Sequence, residues 1–255
     1  MRAFLCPKGN QVSHPVAIRG GFFHARFGRF LFWGYPREGT IIAVSLPNGI
    51  TLAVASAVAG AVTVTAVTNA SEAVVTATNT YSNGDYVLFS SGWSRANNRV
   101  FRVKTVSGTG FTLEGFDTSS TTLFPAGTGT GSVYKVTTWT QITQVISCTS
   151  SGGDPQYQTF SFLEQDFDTQ IPTTTSAQTL ALEIADDPTL AGYAAIKAVA
   201  LTRATTPLRA TLPAGGVILY AGIFAFDETP SMTKGNLMAV KSGIALQGRP
   251  VRYST

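Results

Sequence analysis

The sequence of 255 residues has few charged side chains, two cysteines and two histidines. Charged residues make up 13% of the chain, against roughly a quarter in ordinary soluble domains, and Thr, Ser, Asn and Gln supply most of the polar surface. Cys6 and Cys148 cannot build a disulfide framework, and their spacing fits no zinc signature. This composition is typical of extracellular or assembly proteins.

The motifs of the common catalytic classes are absent as well. No GxSxG, HExxH or Walker sequence occurs, and both histidines, His14 and His24, lie within residues 1–40. Cys148 stands alone, and we expect it to be a small apolar core residue. We therefore predict that the protein is not an enzyme and uses no cofactor or metal.

The net charge of +4 comes from the start of the chain. Residues 1–40 have a net charge of +5, and the rest of the chain has a net charge of −1. We interpret residues 1–40 as an atypical basic N-terminal extension, either a disordered arm or sequence translated from a start codon set too early. The alternative is a basic aromatic arm that grips DNA or a partner, although no groove-reading pattern accompanies it.

One uncharged segment is long enough to be considered as a membrane span. Residues 50–67, ITLAVASAVAGAVTVTAV, count 18 residues. They contain little Leu, Ile or Phe and are interrupted by Thr and Ser, and their end, VTVTAV, alternates with a period of two. We therefore predict strand structure here and no membrane partner.

The middle of the chain contains short β-rich runs separated by Gly, Ser and Asn. Residues 84–92, 98–106 and 108–116 each predict a strand, and together they indicate a small inserted β module over residues 61–136. We predict that the Gly-rich residues 125–132 are a surface linker, because no GK[ST] follows them as it does in a phosphate-binding loop.

Residues 41–60 and 137–255 predict the main domain, with its first strand in the first of these segments. Residues 188–203 have apolar side chains at helical spacing and predict one amphipathic helix, with Asp187 as its N-cap. Further strands are predicted at residues 176–188, 216–226 and 236–248. The expected fold is mainly β: a β-sandwich or curved antiparallel sheet with one flanking α-helix and the inserted module.

Residues 138–162 predict a β-hairpin that carries no reactive groups. Two extended runs rich in Thr and Gln are joined by a turn at Gly152, Gly153, Asp154 and Pro155. Such a hairpin is suited to joining sheets between subunits, because backbone hydrogen bonds need exposed strand edges and no chemistry.

Glu164, Asp166 and Asp168 follow at alternate positions, so in an extended segment they would share one face. A calcium loop would need glycine and further oxygen ligands, and a glycoside hydrolase would need opposed carboxyl groups in an aromatic cleft. Two interpretations stay open, a solvated charged face and a surface that repels an anion.

Four segments follow one another along the chain: TWTQITQVISCTSSGGDPQYQTFSFLEQDFDTQIPT, LALEIADDPTLAGYAAIKAV, FDETPSMTKGNLMAV and GRPVRYS. In this order they resemble the major tail tube proteins of long, non-contractile-tailed bacteriophages. The segments SNGDYVLFSSGWSRANNRVFRV and FTLEGFDTS resemble a small β module of phage virion proteins. The resemblance extends from about Ile41 to the C-terminus.

The resemblance implies a structural virion protein of the phage tail, made in the host cytoplasm and assembled as stacked hexameric rings. The tube would enclose the tape-measure protein, join tail tip and terminator proteins, and conduct DNA without sequence-specific binding. Gly152 to Pro155 would then contact the next ring. Glu164, Asp166 and Asp168 would form an anionic surface, either in the lumen or at a ring interface with arginines such as Arg209 or Arg249.

A secreted β-rich adhesin or carbohydrate-binding module is the alternative function. Such a protein would also be rich in Thr and in strands. It would display a patch of aromatic side chains and would remain monomeric or anchored, whereas a tail tube subunit assembles.

Overall fold

The computed structural model describes residues 47–254, so the expected extension at residues 1–40 lies outside the described part of the chain and stays a prediction. The first eight strands are β1 (Thr51–Val58), β2 (Val62–Val64), β3 (Ala66–Val67), β4 (Val74–Thr76), β5 (Tyr86–Ser91), β6 (Arg99–Ser107), β7 (Gly110–Leu113) and β8 (Gly131–Ile142). The remaining elements are β9 (Val145–Ser151), β10 (Pro155–Phe160), β11 (Thr169–Thr175), β12 (Thr179–Ala185), α1 (Ala191–Thr202), β13 (Thr206–Thr211), β14 (Val217–Ser231), β15 (Ala239–Leu246) and β16 (Val251–Tyr253).

Fourteen of the strands form one antiparallel sheet, and β10 and β11 form a separate sheet of two strands. The order in the large sheet is β3-β4-β7-β6-β5-β8-β1-β13-β14-β15-β12-β9, with β2 paired to β8 and β16 paired to β14. The predicted fold class, a curved antiparallel sheet with one helix, is confirmed for residues 47–254.

Two hydrophobic cores lie along this sheet. The first belongs to the strands between β2 and β8 and is rich in aromatic side chains, with Phe89, Phe101 and Phe111 fully buried. The second lies between α1 and the sheet formed by β1, β12, β13, β14 and β15. A small third cluster contains Leu88 and Leu219, and it packs the two regions together.

The expected boundary at residue 136 falls inside a strand, because β8 pairs with β5 through its first half and with β1 through its second half. The division into core and inserted module stays a prediction. The Gly-rich linker expected at residues 125–132 is wrong at its end, since Gly131 begins β8 and pairs with Ser91. A Cβ at Gly129 would lie 2.8 Å from the ring of Trp93, so this glycine makes room for a buried indole.

The single helix among the described residues, α1, lies within the predicted range 188–203, but its predicted cap is wrong. The helix begins after Leu190, which makes no side-chain capping hydrogen bond. Asp187 instead accepts hydrogen bonds from the backbone N–H and hydroxyl of Thr189, at 3.1 Å and 2.6 Å, and closes a turn before the helix. Gly192 lets the helix cross β8 closely, because a Cβ there would lie 2.7 Å from the carbonyl oxygen of Gln141.

The uncharged residues 50–67 contain β1, β2 and β3, in agreement with the predicted strand structure. Within the described range, no helix has both the length and the apolar character that a membrane crossing requires.

Candidate assembly surfaces

A two-stranded arm extends from the edge of the large sheet. Its strands β10 and β11 pair with each other from Phe160 opposite Thr169 to Pro155 opposite Thr175. The predicted hairpin of residues 138–162 is wrong, because β9 pairs with β12 and not with β10. The true hairpin is formed by β10 and β11, and the Gly-Gly-Asp-Pro segment connects it to the sheet.

Gly152, Gly153 and Asp154 form the base of this arm. Both glycines have positive φ, at 77° and 86°, and a Cβ on Gly152 would lie 2.0 Å from the carbonyl oxygen of Ala177. The hydroxyl of Ser176 accepts hydrogen bonds from the N–H groups of Gly153 and Asp154, each at 3.0 Å. The backbone N–H of Ser176 donates to the carbonyl of Asp154 at 2.9 Å. The two ends of the arm are therefore fastened to each other.

The tip of the arm, defined here as residues 161–168, carries the three predicted carboxylates. The chain reverses through turns at this point, and the N–H of Gln165 donates to the carbonyl of Phe162 at 3.0 Å. The expectation that Glu164, Asp166 and Asp168 lie on one face of an extended segment is wrong for this reason. All three side chains are exposed in the tip.

The arm has almost no buried surface in the single chain. Between Pro155 and Thr175, all residues except Phe160 and Thr169 are exposed. The exposed residues include large apolar side chains, among them Tyr157, Phe162, Leu163, Phe167 and Ile171. An isolated two-stranded hairpin is marginally stable in water, and exposed apolar patches of this kind mark contact surfaces.

The strands β8 and β9 each present a free edge in the C-terminal part of the large sheet. Within residues 47–254, β9 pairs only with β12, and residues 137–142 of β8 pair only with β1. The expectation that Cys148 is a core residue is wrong, because it lies on the edge strand β9 and is exposed. Free edges present unpaired N–H and C=O groups, which can accept a strand from another chain.

The two arginines named as partners of the carboxylates have different surroundings. The guanidinium of Arg209 lies 4.8 Å from the ring centroid of Trp139 and 5.7 Å from that of Tyr86. Its Nε is buried and has no hydrogen-bond partner among the described residues. Arg249 is exposed and lies on a surface groove. Arg249 is therefore more accessible to a carboxylate of another chain than Arg209, which is partly buried.

The ion pairs of the described part of the chain all lie outside the arm. They are Arg102–Glu114, Lys104–Glu72, Lys135–Asp85 and Lys197–Glu228. Hydrogen bonding to Arg102 lowers the pKa of Glu114, and hydrogen bonding to Lys104 lowers the pKa of Glu72. No three His, Cys, Asp or Glu side chains between residues 47 and 254 converge as metal ligands.

The arm was the feature that sequence reasoning missed. Its second strand, TQIPTTT, has the β-branched composition of a strand, and this was the available signal. The arginine groove could not be read from the sequence, because its residues Arg95 and Arg249 are far apart along the chain.

The sequence matches the family profile described as "Phage tail tube protein, TTP" over residues 91–255. Among the curated proteins, none matches the chain. Among solved structures, a chain of the "Virion of native gene transfer agent (GTA) particle" is similar at 9% sequence identity, with a TM-score of 0.35. The aligned part covers 46% of this chain and 89% of that chain.

Proposed function

The chain belongs to the phage tail tube protein family, and we propose from this that it forms rings of six subunits that stack into a tube for phage DNA. Membership makes it a structural protein of the virion tail and not an enzyme. The number of subunits, the stacking and the passage of DNA are the parts that we propose.

The observation that carries the proposal is the exposed arm formed by β10 and β11. Its two ends are fastened to each other at its base, yet nearly every residue beyond the base is exposed, including aromatic side chains. Ordering a hairpin costs conformational entropy, which contacts must offset. In a stacked tube the neighbouring ring supplies these contacts. We propose the arm, with Gly152 to Pro155 at its base, as the contact between rings.

The free edges of β8 and β9 are suited to the contacts within a ring. If the edge of β9 in one subunit pairs with the edge of β8 in the next, two different surfaces of the chain are joined head to tail. Such a heterologous contact closes into a ring when the rotation between neighbours fits a whole number of subunits. The pairing needs no reactive side chain, which agrees with the composition of β9, where three of the seven residues are Ser and one is Thr.

The charge of the main domain is compatible with a DNA conduit. Residues 137–255 contain nine acidic and seven basic residues, so this part of the chain has a net charge of −2, whereas the whole chain has a net charge of +4. A negative surface keeps the phosphate backbone from adhering, whereas exposed lysines would bind it through counterion release. We expect the tape-measure protein in the lumen before ejection, and tip and terminator proteins at the two ends of the tube.

Electron microscopy of the purified protein tests the proposal, with an arm deletion as the decisive variant. The deletion joins Asp154 to Ser176 through a short Gly-Ser bridge, and these two residues already share a hydrogen bond. We expect tubes with six-fold symmetry from the unaltered chain, and single subunits or single rings from the deletion. Circular dichroism of the deletion should show an intact fold, because the removed residues bury almost nothing.

Two results would contradict the proposal. Long tubes from the arm deletion would place the contact between rings elsewhere on the chain. Dispersed monomers of the unaltered chain that bind glycans would favour the alternative, a secreted adhesin or carbohydrate-binding module.

A further inference from the structure

Two arginines from distant parts of the chain line one open groove beside the base of the arm. The groove has a volume of about 420 Å³, and its walls include Arg95 from the connection between β5 and β6 and Arg249 from the connection between β15 and β16. Gly153 and Ser176 of the arm base also line it. None of the residues that line the groove is acidic.

Arg99 holds the two arginine-bearing segments together. Its Nε donates a hydrogen bond to the carbonyl of Arg249, and its Nη1 donates one to the carbonyl of Arg95, both at 3.2 Å. Its guanidinium lies 5.1 Å from the ring centroids of Phe101 and Phe116. Burial lowers the pKa of Arg99, and the nearby charge of Arg249 lowers it further. Arg99 therefore ties together the two segments that carry Arg95 and Arg249.

Close packing fixes the geometry of these segments. A Cβ on Gly248 would lie 2.1 Å from the carbonyl oxygen of Asn98, so only glycine allows the two backbones to approach this closely. The backbone segments that carry Arg95 and Arg249 are consequently held next to each other before any ligand arrives. Preorganisation of this kind reduces the entropy that is lost on binding.

The positive groove has no counter-charge among the described residues that line it. Within residues 47–254 the four ion pairs involve other cations, so Arg95, Arg99 and Arg249 have no carboxylate partner. The tip of the arm has the opposite character, because Glu164, Asp166 and Asp168 are exposed there and no basic residue lies between residues 161 and 168. The groove is lined by two arginines, and the tip carries three carboxylates.

We propose that the arm tip of one copy docks in the arginine groove of a second copy, with its carboxylates paired to Arg95 and Arg249. The proposal rests on the proposed tube, since it names the surface that receives the arm. Guanidinium and carboxylate groups form strong charge-assisted hydrogen bonds, and often bidentate ones. The exposed Phe162 and Leu163 accompany the carboxylates and lose their contact with water on docking.

Docking of a tip into a different surface of the next copy accounts for indefinite stacking. The contact is heterologous, so every added subunit presents a new free tip or a new free groove. The strand β10 has six residues, which gives the arm a length of about 20 Å before the tip, enough to leave the surface of its own subunit. The charges also determine which surfaces dock, because two anionic tips, or two positive grooves, repel each other.

A charge swap tests the docking directly. The groove variant is Arg95→Glu with Arg249→Glu, and the tip variant is Glu164→Arg with Asp166→Arg. We expect each variant alone to lose long tubes, measured by electron microscopy and sedimentation. The combined variant has the net charge of the unaltered chain, and we expect it to recover tubes. The matched control is Lys234→Glu with Lys241→Glu, which changes the charge equally at two exposed residues outside the groove and should leave tubes unchanged.

A disulfide between copies gives a second measurement that does not depend on tube length. In chains that carry Cys6→Ser and Cys148→Ser, one preparation receives Asp166→Cys and another receives Arg95→Cys. When the two are mixed and oxidised, we expect crosslinked dimers in excess of those formed by either preparation alone. No excess of mixed dimers, or folded swap variants that do not recover tubes, would overturn the docking.

The test separates failure of the docking from failure of the proposed function. If the unaltered chain forms no tubes, the tail tube assembly itself is contradicted. If tubes form and neither charge reversal affects them, only the docking is contradicted. If a labelled DNA duplex binds the unassembled subunit, the groove variant abolishes that binding and tubes persist, then the groove belongs to nucleic acid and the docking is overturned.

Discussion

The guanidinium of Arg102 lies 4.6 Å from the ring centroid of Tyr253, and the hydroxyl of Tyr253 accepts a hydrogen bond from the backbone N–H of Arg102 at 2.9 Å. The same hydroxyl donates to the carbonyl of Glu114 at 3.3 Å. Tyr253 belongs to the last strand, whereas Arg102 and Glu114 belong to the aromatic core region of the chain. This contact therefore joins the two regions of the sheet.

Tyr253→Phe should destabilise the fold because it removes a buried hydroxyl with two partners. The Arg102 N–H and the Glu114 carbonyl would lose a hydrogen bond, which costs about 1–2 kcal/mol in the free energy of unfolding. Urea denaturation of the subunit measures this difference. Tyr134→Phe is the matched control, since the hydroxyl of Tyr134 makes no hydrogen bond within the described residues, and it should change stability far less. Equal effects of both substitutions would contradict the role of the Tyr253 hydroxyl.

The same residue predicts a dependence of stability on alkaline pH. Burial is the main reason why the pKa of Tyr253 is raised, to about 12 from 10.0. The protonated hydroxyl then contributes stability that is fully present below the pKa of the unfolded chain and is lost as the pH rises through the folded pKa. Over this window the loss amounts to about 2–3 kcal/mol.

Comparison with Tyr253→Phe isolates this titration from that of other tyrosines. The variant lacks the group, so the stability advantage of the unaltered chain over the variant should fall as the pH rises from about 10 to about 12. Urea denaturation across this range gives the difference directly. A difference that stays constant would show that the pKa of Tyr253 is not raised.

The strands of the main sheet could be predicted because their side chains alternate in burial. Residues 216–226 predicted the central strand β14, and residues 236–248 predicted β15, since both runs alternate or are apolar on both faces. The pairing partner of each strand could not be predicted in this way. β9 and β10 are separated by three residues, yet β9 pairs with β12, because Gly152 and Gly153 turn the chain out of the sheet.

The assembly surfaces were harder to predict for a related reason. Alternate spacing of Glu164, Asp166 and Asp168 is the same in a strand and in a loop, and no glycine or proline marks the turn at the tip. The groove depends on contacts between residues about 150 positions apart, such as Arg99 Nε with the carbonyl of Arg249. The amino-acid composition does not reveal such a long-range contact. The segments that resemble the tail tube family are each continuous in the sequence, so they could be identified.

Gly192→Ala should weaken the packing of α1 on the sheet. A Cβ at this position would lie 2.7 Å from the carbonyl oxygen of Gln141 and 2.8 Å from the Cα of Ile142, and both are backbone atoms that cannot rotate away. The helix would have to shift, at a cost of about 1–3 kcal/mol, although alanine favours helices in general. Thermal denaturation measures the effect. Gly243→Ala is the control, because a Cβ there meets no atom within 4 Å, and a loss of stability at both positions would contradict the packing argument.

The final prediction concerns the free edge of β9. Ile146 lies on this strand with 49% of its surface exposed, and Ile146→Lys places a charge there without filling the core. A lysine on an edge strand opposes pairing with another chain, because the ammonium group would have to leave water. If β9 joins subunits within a ring, the variant should keep the fold of the subunit and fail to form rings, as seen by circular dichroism and by electron microscopy. Ile146→Thr is the matched control, since it keeps a β-branched, uncharged side chain, and it should still assemble.

Rings formed by the lysine variant would show that β9 does not join the subunits within a ring. An arm deletion that forms single rings, beside a lysine variant that forms none, would assign β9 to contacts within the ring and the arm to contacts between rings.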